Sequence, residues 1–108
     1  MKMKIYVSVP ITGRPLQEAR QQADNWKKYL TSDWNEPITP FDVCSDEEEH
    51  PYSYYMGRDI EALLECDAII MTEGWEKSRG CNLEYSAANL YGLKVFTHED
   101  FKRAGLLL

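Results

Sequence analysis

At 108 residues the chain has the length of one domain, and its 44% hydrophobic and 12% aromatic content is enough for a packed core, which argues against global disorder. Twelve Lys and Arg against eighteen Asp and Glu leave a net charge of −6, and no basic stripe is present to neutralise a run of phosphates. Polymeric DNA or RNA is therefore a poor partner, whereas a small phosphorylated ligand needs only a few backbone N–H groups and one or two cations.

The chain opens with Met1-Lys2-Met3-Lys4 and then Ile5-Tyr6-Val7-Ser8-Val9, apolar at the odd positions and bounded by Pro10 and Gly13. This reads as a first strand, too short for a secretory leader, and no later stretch has the apolar length of a membrane span. Leu16, Ala19, Ala23, Trp26 and Leu30 recur at spacings of three and four, so residues Leu16 to Leu30 are expected to form a helix with Pro15 in its first turn. Glu36 to Phe41 contains Pro37 and Pro40 and is expected as a weak or edge strand.

Asp42 to Pro51 reads as an acidic loop. Its Asp46 to Glu49 run lacks the spacing of a calcium loop and is expected to be solvated. A second helix is expected over Tyr52 to Glu65, with Met56, Ile60, Leu63 and Leu64 facing inward. Ala68-Ile69-Ile70-Met71 has the continuous apolar run of a strand buried on both faces. Thr72 to Arg79 is a loop, Gly80 to Tyr91 a third helix ending at Gly92, Leu93 to Phe96 a last strand, and Glu99 to Ala104 a terminal helical turn.

Alternation of strand and helix predicts a single α/β domain over residues 1–108. The expected architecture is a three-layer α/β/α sandwich on a mostly parallel sheet of four to five strands, flavodoxin- or Rossmann-like. Such sheets bind ligands at the carboxyl ends of their strands. Three segments should meet there.

The first segment is Val9-Pro10-Ile11-Thr12-Gly13-Arg14, whose glycine permits close backbone approach, although it has neither GxGxxG nor a Walker lysine. The second carries Asp59 on the border of a buried helix face, where a carboxylate needs an ion-pair partner such as Arg58 or Arg79, or a raised pKa. The third is Gly74-Trp75-Glu76-Lys77-Ser78-Arg79-Gly80-Cys81-Asn82-Leu83-Glu84. Ser78 is suited to cap the helix and, with Arg79 and Gly80, to hold a phosphate. Glu84 follows Gly80 by four residues, beside the small Ala87 and Ala88. Trp75 suits either a base-stacking platform or a lid over the core. Cys81 reads as buried packing rather than a low-pKa thiol. Cys44, Cys66 and Cys81 lack CxxC spacing, and His50 and His98 stand apart, so no metal site, no cofactor and a reducing cytoplasmic setting are expected.

Ser8-Val9-Pro10-Ile11-Thr12-Gly13, the Gly74 to Glu84 segment, and between them Arg58-Asp59-Ile60-Glu61-Ala62-Leu63 and Cys66-Asp67-Ala68-Ile69-Ile70 resemble the nucleoside 2-deoxyribosyltransferase-like superfamily over most of the chain. The pattern is most like that superfamily's small phage and bacterial branch (DUF4406-like) and is similar to the 2′-deoxynucleoside 5′-monophosphate N-glycosidases. The resemblance implies cleavage or transfer at the N-glycosidic bond of a (deoxy)nucleoside or its 5′-monophosphate. Within it, Glu84 matches the nucleophile, Asp59 the aspartate that engages the base, and Tyr6 the tyrosine that orients the nucleophile. Ser78 and Gly80 match phosphate-loop positions and Gly13 the first-loop glycine, with Ser8, Ile11, Arg14, Trp75 and Arg79 as further substrate-binding candidates. Ser86 stands where a glycine often follows two residues after the nucleophile, and the Trp75 loop differs from that of the superfamily's characterised enzymes. The alternative is a non-catalytic nucleotide-sensing domain of the same fold. A homo-oligomer is expected, with Trp34, Tyr54 and Tyr55 as exposed contact residues.

Overall fold

The computed structural model describes residues 2–44 and 49–104. Strand β1 (Met3–Ser8) behaves as period-two alternation requires: Ile5 and Val7, with Val9 just beyond, pack in one core cluster, and Tyr6 packs in the other. Helix α1 (Leu16–Leu30) spans the expected residues and buries Ala19, Ala23 and Leu30 against the first of these clusters. Strand β2 (Asn35–Ile38) pairs in parallel with β1 alone, Pro37 opposite Ile5. At an edge the missing proline N–H disrupts no second ladder.

The chain does not stay extended through Phe41, as expected. Pro40–Val43 forms a one-turn helix, α2. Thr39 Oγ1 accepts from the Asp42 backbone N–H at 3.3 Å, and Asp42 Oδ2 accepts from the Thr39 N–H at 2.9 Å. Thr39 keeps the extended backbone expected before a proline, and this reciprocal cap, with Pro40 at the first helical position, starts the helical turn directly after it. Of the acidic Asp46 to Glu49 run, only Glu49 belongs to the described residues, and it is exposed.

Helix α3 (Tyr52–Leu64) follows, with Asp59 and Leu63 buried and Leu64, expected inside, exposed. Strand β3 (Ala68–Met71) is buried throughout, as its apolar run predicts. A 3-10 turn at Trp75–Lys77 leads into α4 (Arg79–Leu90). Gly92, at φ +74°, closes α4 in the left-handed conformation that a side chain would strain. Strand β4 (Lys94–Thr97) and α5 (His98–Arg103) complete the chain, α5 opening with a second reciprocal cap between Thr97 and Asp100.

The four strands are all parallel, in the order β2-β1-β3-β4. Ile5, Val7, Ala68 and Ile70 pack with α1 and with Phe96 and Phe101 on one face. Tyr6, Ile69 and Met71 pack with Leu63 of α3 and with Cys81 and Ala88 of α4 on the other. The result is the expected three-layer sandwich. Its winding reverses between β1 and β3, where α1 lies on one face and α3 and α4 on the other, so a crevice opens at the carboxyl ends of those two strands.

Candidate active site

Tyr6 and Ser8 are two residues apart on β1 and face the α4 side together. The phenol of Tyr6 donates to Glu84 Oε2 and the hydroxyl of Ser8 to Glu84 Oε1, each at 2.7 Å. Both oxygens of this carboxylate, only 3% exposed, are thus held by neutral donors. Ser78 caps α4, its Oγ accepting from the Cys81 N–H at 3.2 Å. The Asn82 amide reaches back to the carbonyls of Glu76 at 3.0 Å and Ser78 at 2.8 Å, which fixes the preceding turn against the helix. Cys81, Glu84 and Ala88 then recur at helical spacing on the buried face, and Glu84 is delivered to β1. Thr72, which the sequence reading passed over, bonds the Ser8 carbonyl at 2.7 Å and accepts from Gln22 Nε2 at 2.8 Å, joining the ends of β1 and β3 to α1.

Glu84 forms part of the wall of a cavity of about 630 Å³ in the crevice. Asp59, from the middle of α3, lines the same cavity. It is 7% exposed, and its buried Oδ1 has no hydrogen-bond partner among the described residues. Neither Arg58 nor Arg79 pairs with it. Val9, Ile11 and Thr12 supply the wall after β1, and Ser78, Gly80 and Cys81 the wall along α4. Tyr52, Tyr55 and Met56 close the α3 side. A Cβ at Gly80 would sit 3.2 Å from the Tyr52 hydroxyl and 3.3 Å from Met56 Sδ, so α4 approaches the side chains of α3 closely here and a larger residue would push those side-chain ends aside by a few tenths of an ångström.

The two carboxyls differ in what surrounds them. Burial lifts Glu84 to about 7, against the opposing pull of the Ser8 and Tyr6 donors. Burial, and then the charge of Glu84, lifts Asp59 to about 7. Glu84 has two donors that favour its charged form, whereas the buried Oδ1 of Asp59 has none among the described residues. Burial and the neighbouring Glu84 charge hold the Tyr6 phenol well above its ordinary value, and it remains a donor. Burial pushes the Cys81 thiol to about 11, so it is not a ready thiolate. Among the described residues no cluster of three His, Cys, Asp or Glu side chains could hold a metal ion, and no helix is long and apolar enough to cross a membrane.

The remaining candidates divide. Ile11, Ser78 and Gly80 line the cavity with Glu84 and Asp59, while Tyr6 and Ser8 stand directly behind the Glu84 carboxylate. Gly13, Arg14, Trp75 and Arg79 are not among its walls. Gly13 and Arg79 face solvent. Arg14 donates to the Pro10 carbonyl at 3.0 Å and to Gln22 Oε1 at 2.7 Å, and lines a separate groove along α1. Trp75 packs on Tyr85, ring centres 4.9 Å apart, and so covers the core rather than the cavity. Leu16, Arg20 and Phe41 line the cavity without having been singled out, and no motif marks them. Of the aromatic residues expected to be exposed, Trp34 is 75% exposed, whereas Tyr54 and Tyr55 are half-buried, Tyr54 stacking on His50 with ring centres 3.9 Å apart.

Comparison with known proteins bears on the fold. The structure is similar to a solved 2-desoxiribosyltransferase from Leishmania mexicana, with a TM-score of 0.68 at 20% identity over 88% of this chain and 63% of that one. It is also similar to a 2-deoxyribosyltransferase from Bacillus psychrosaccharolyticus, with a TM-score of 0.64 at 17% identity over 87% of this chain and 70% of that one. The chain therefore spans less than two thirds of the Leishmania protein, and at these identities the shared property is the fold. No curated protein matches it in sequence. A sequence-family model does match, over residues 3–97, and the chain belongs to that family, the Domain of unknown function (DUF4406).

Proposed function

We propose that this chain, acting as one domain, breaks the N-glycosidic bond of a (deoxy)nucleoside or its 5′-monophosphate and passes the sugar to water or to a second base. The observation that carries this reading is the Glu84 carboxylate, held at both oxygens by Tyr6 and Ser8 on the wall of a cavity that Asp59 also lines. Glycosidic cleavage builds positive charge at the anomeric carbon, and a carboxylate beside that carbon can stabilise or trap it. Glu84 attacks C1′, the C1′–N bond breaks with its electron pair passing to the base, and Asp59 gives its proton to that base. Water then attacks C1′ of the glycosyl ester, Asp59 takes the water proton, and Glu84 leaves as the carboxylate. Transfer to another base uses the same ester.

The likeness to deoxyribosyltransferases supports this reading at the level of the fold, and Ser78 and Gly80 at the start of α4 favour a substrate bearing a 5′-phosphate. Three cysteines without CxxC spacing suit a reducing cytoplasm. Exposed Trp34, Leu90 and Tyr91 suit self-association, which light scattering on the purified chain tests.

The direct experiment incubates the protein with the four deoxynucleoside monophosphates and follows free base by chromatography, beside Glu84→Gln. That substitution is expected to lower base release by more than about 10³-fold. Unchanged release would remove Glu84 from the mechanism. Nucleotide binding with no release in the unaltered protein would make the domain a nucleotide sensor instead.

A further inference from the structure

Resting on the N-glycosidic reading above, we infer that Arg20 and Phe41 form the base-recognition end of the cavity and select a 6-oxopurine, guanine or hypoxanthine, over adenine and the pyrimidines. Among the described residues, Arg20 is the only Lys or Arg along the cavity walls. Its guanidinium lies 4.7 Å above the centre of the Phe41 ring. Among the described residues it forms no ion pair, although the chain carries eighteen carboxylates. Stacking orients the guanidinium plane, and its N–H fork donates to none of the described residues.

Sheet order assigns the ends of the cavity. Phe41 follows β2, the wall at Val9 and Ile11 follows β1, and Ser78 and Gly80 follow β3, so the cavity runs across the sheet in the sequence β2, β1, β3. Glu84, bonded to Tyr6 and Ser8 of β1, stands between its two ends. A nucleotide projects its base from C1′ and its 5′ group from C4′, on opposite sides of the ring oxygen. With C1′ at Glu84, the 5′ group extends to the capped start of α4 and the base to Phe41 and Arg20. A flat apolar ring carrying a planar cation suits a purine face and edge.

Arginine carries donors only. A 6-oxopurine offers O6 and N7 as adjacent acceptors that match the fork, adenine replaces O6 with an amine donor, thymine offers a single carbonyl and cytosine an amine at the corresponding edge. With the fork on O6 and N7, the proton from Asp59 goes to N3 on the other edge. The C1′–N9 bond breaks, its electron pair passes into the ring, and the base departs neutral as its N3–H tautomer while Glu84 takes C1′.

The test compares the unaltered protein with Arg20→Lys and Arg20→Gln, using kcat/KM for base release from dGMP, dIMP, dAMP and dTMP. Calorimetric binding of the same four nucleotides to each protein runs alongside. The expected result is a preference of about tenfold or more for dGMP and dIMP, since one bidentate contact discriminates by roughly 1–3 kcal/mol. Arg20→Gln should bring the dGMP-to-dAMP ratio towards one, and Arg20→Lys, which keeps the charge but loses the fork, should lose most of the preference. Equal rates with all four nucleotides, or an Arg20→Gln loss of the same size for each, would overturn this inference and leave N-glycosidic cleavage standing. Arg20-dependent binding of dGMP over dAMP without turnover would support it and remove cleavage. Neither binding nor turnover with any nucleotide would overturn both.

Discussion

The two faces of the sheet are built from the same strands and do different work. On the α1 side, Ile5, Val7, Val9, Ala68 and Ile70 meet Ala19, Ala23 and Leu30 in an apolar layer. On the α3 and α4 side, the alternate residues of β1 are Tyr6 and Ser8, and what they meet is a buried carboxylate. One face gains stability by removing apolar surface from water, while the other holds Glu84 and Asp59 where burial opposes their charge. The comparison teaches that a strand's period of two lets six residues serve a core on one face and a candidate site on the other.

The sharpest way to break this division is to cut into the apolar face. Ile70 is 1% exposed, and Ile70→Ala should cost about 2–5 kcal/mol of folding stability, read by urea denaturation, while turnover per folded molecule stays unchanged. Loss of turnover in the folded fraction would mean that the faces are coupled.

Next in size is the pH dependence of stability. Glu84 and Asp59 have folded-state values raised to about 7 from 4.5 and 3.8. Between roughly pH 4 and 7 the folded chain therefore holds more protons than the unfolded one, and stability falls as pH rises through that window. The loss should be on the order of a few kcal/mol and complete just above pH 7. Glu84→Gln should flatten that fall and stabilise the protein at pH 8. A profile flat in the unaltered protein would show that neither carboxyl is perturbed.

Smallest is Tyr6→Phe, which removes one donor from the Glu84 carboxylate. A hydrogen bond to a charged group contributes about 1.5–3 kcal/mol, so kcat/KM should fall roughly 10- to 100-fold. Because the lost bond favoured the charged form, the acidic limb of the pH–rate profile should also move to higher pH. A fall in rate with no movement of that limb would leave Tyr6 with a packing role only.

The sequence by itself determined the local architecture. The spacing of Leu16, Ala19, Ala23 and Leu30 defined α1 to the residue, and the unbroken apolar run Ala68 to Met71 defined β3, because periodicity reports which faces of an element are buried. The capped Ser78 start and the helical offset to Glu84 were equally legible. The one-turn α2 was also encoded, in Thr39 and Asp42, but two prolines masked it.

Only the tertiary structure decided which side chains meet. Tyr6 and Glu84 are 78 residues apart, and their contact depends on strand order and on the face each helix covers. The same long-range choices turned Arg14 towards Gln22, laid Trp75 on Tyr85, and brought Arg20 over Phe41. Long side chains on loops and helix edges have several partners within reach, and packing across the sheet, which no local pattern records, selects among them.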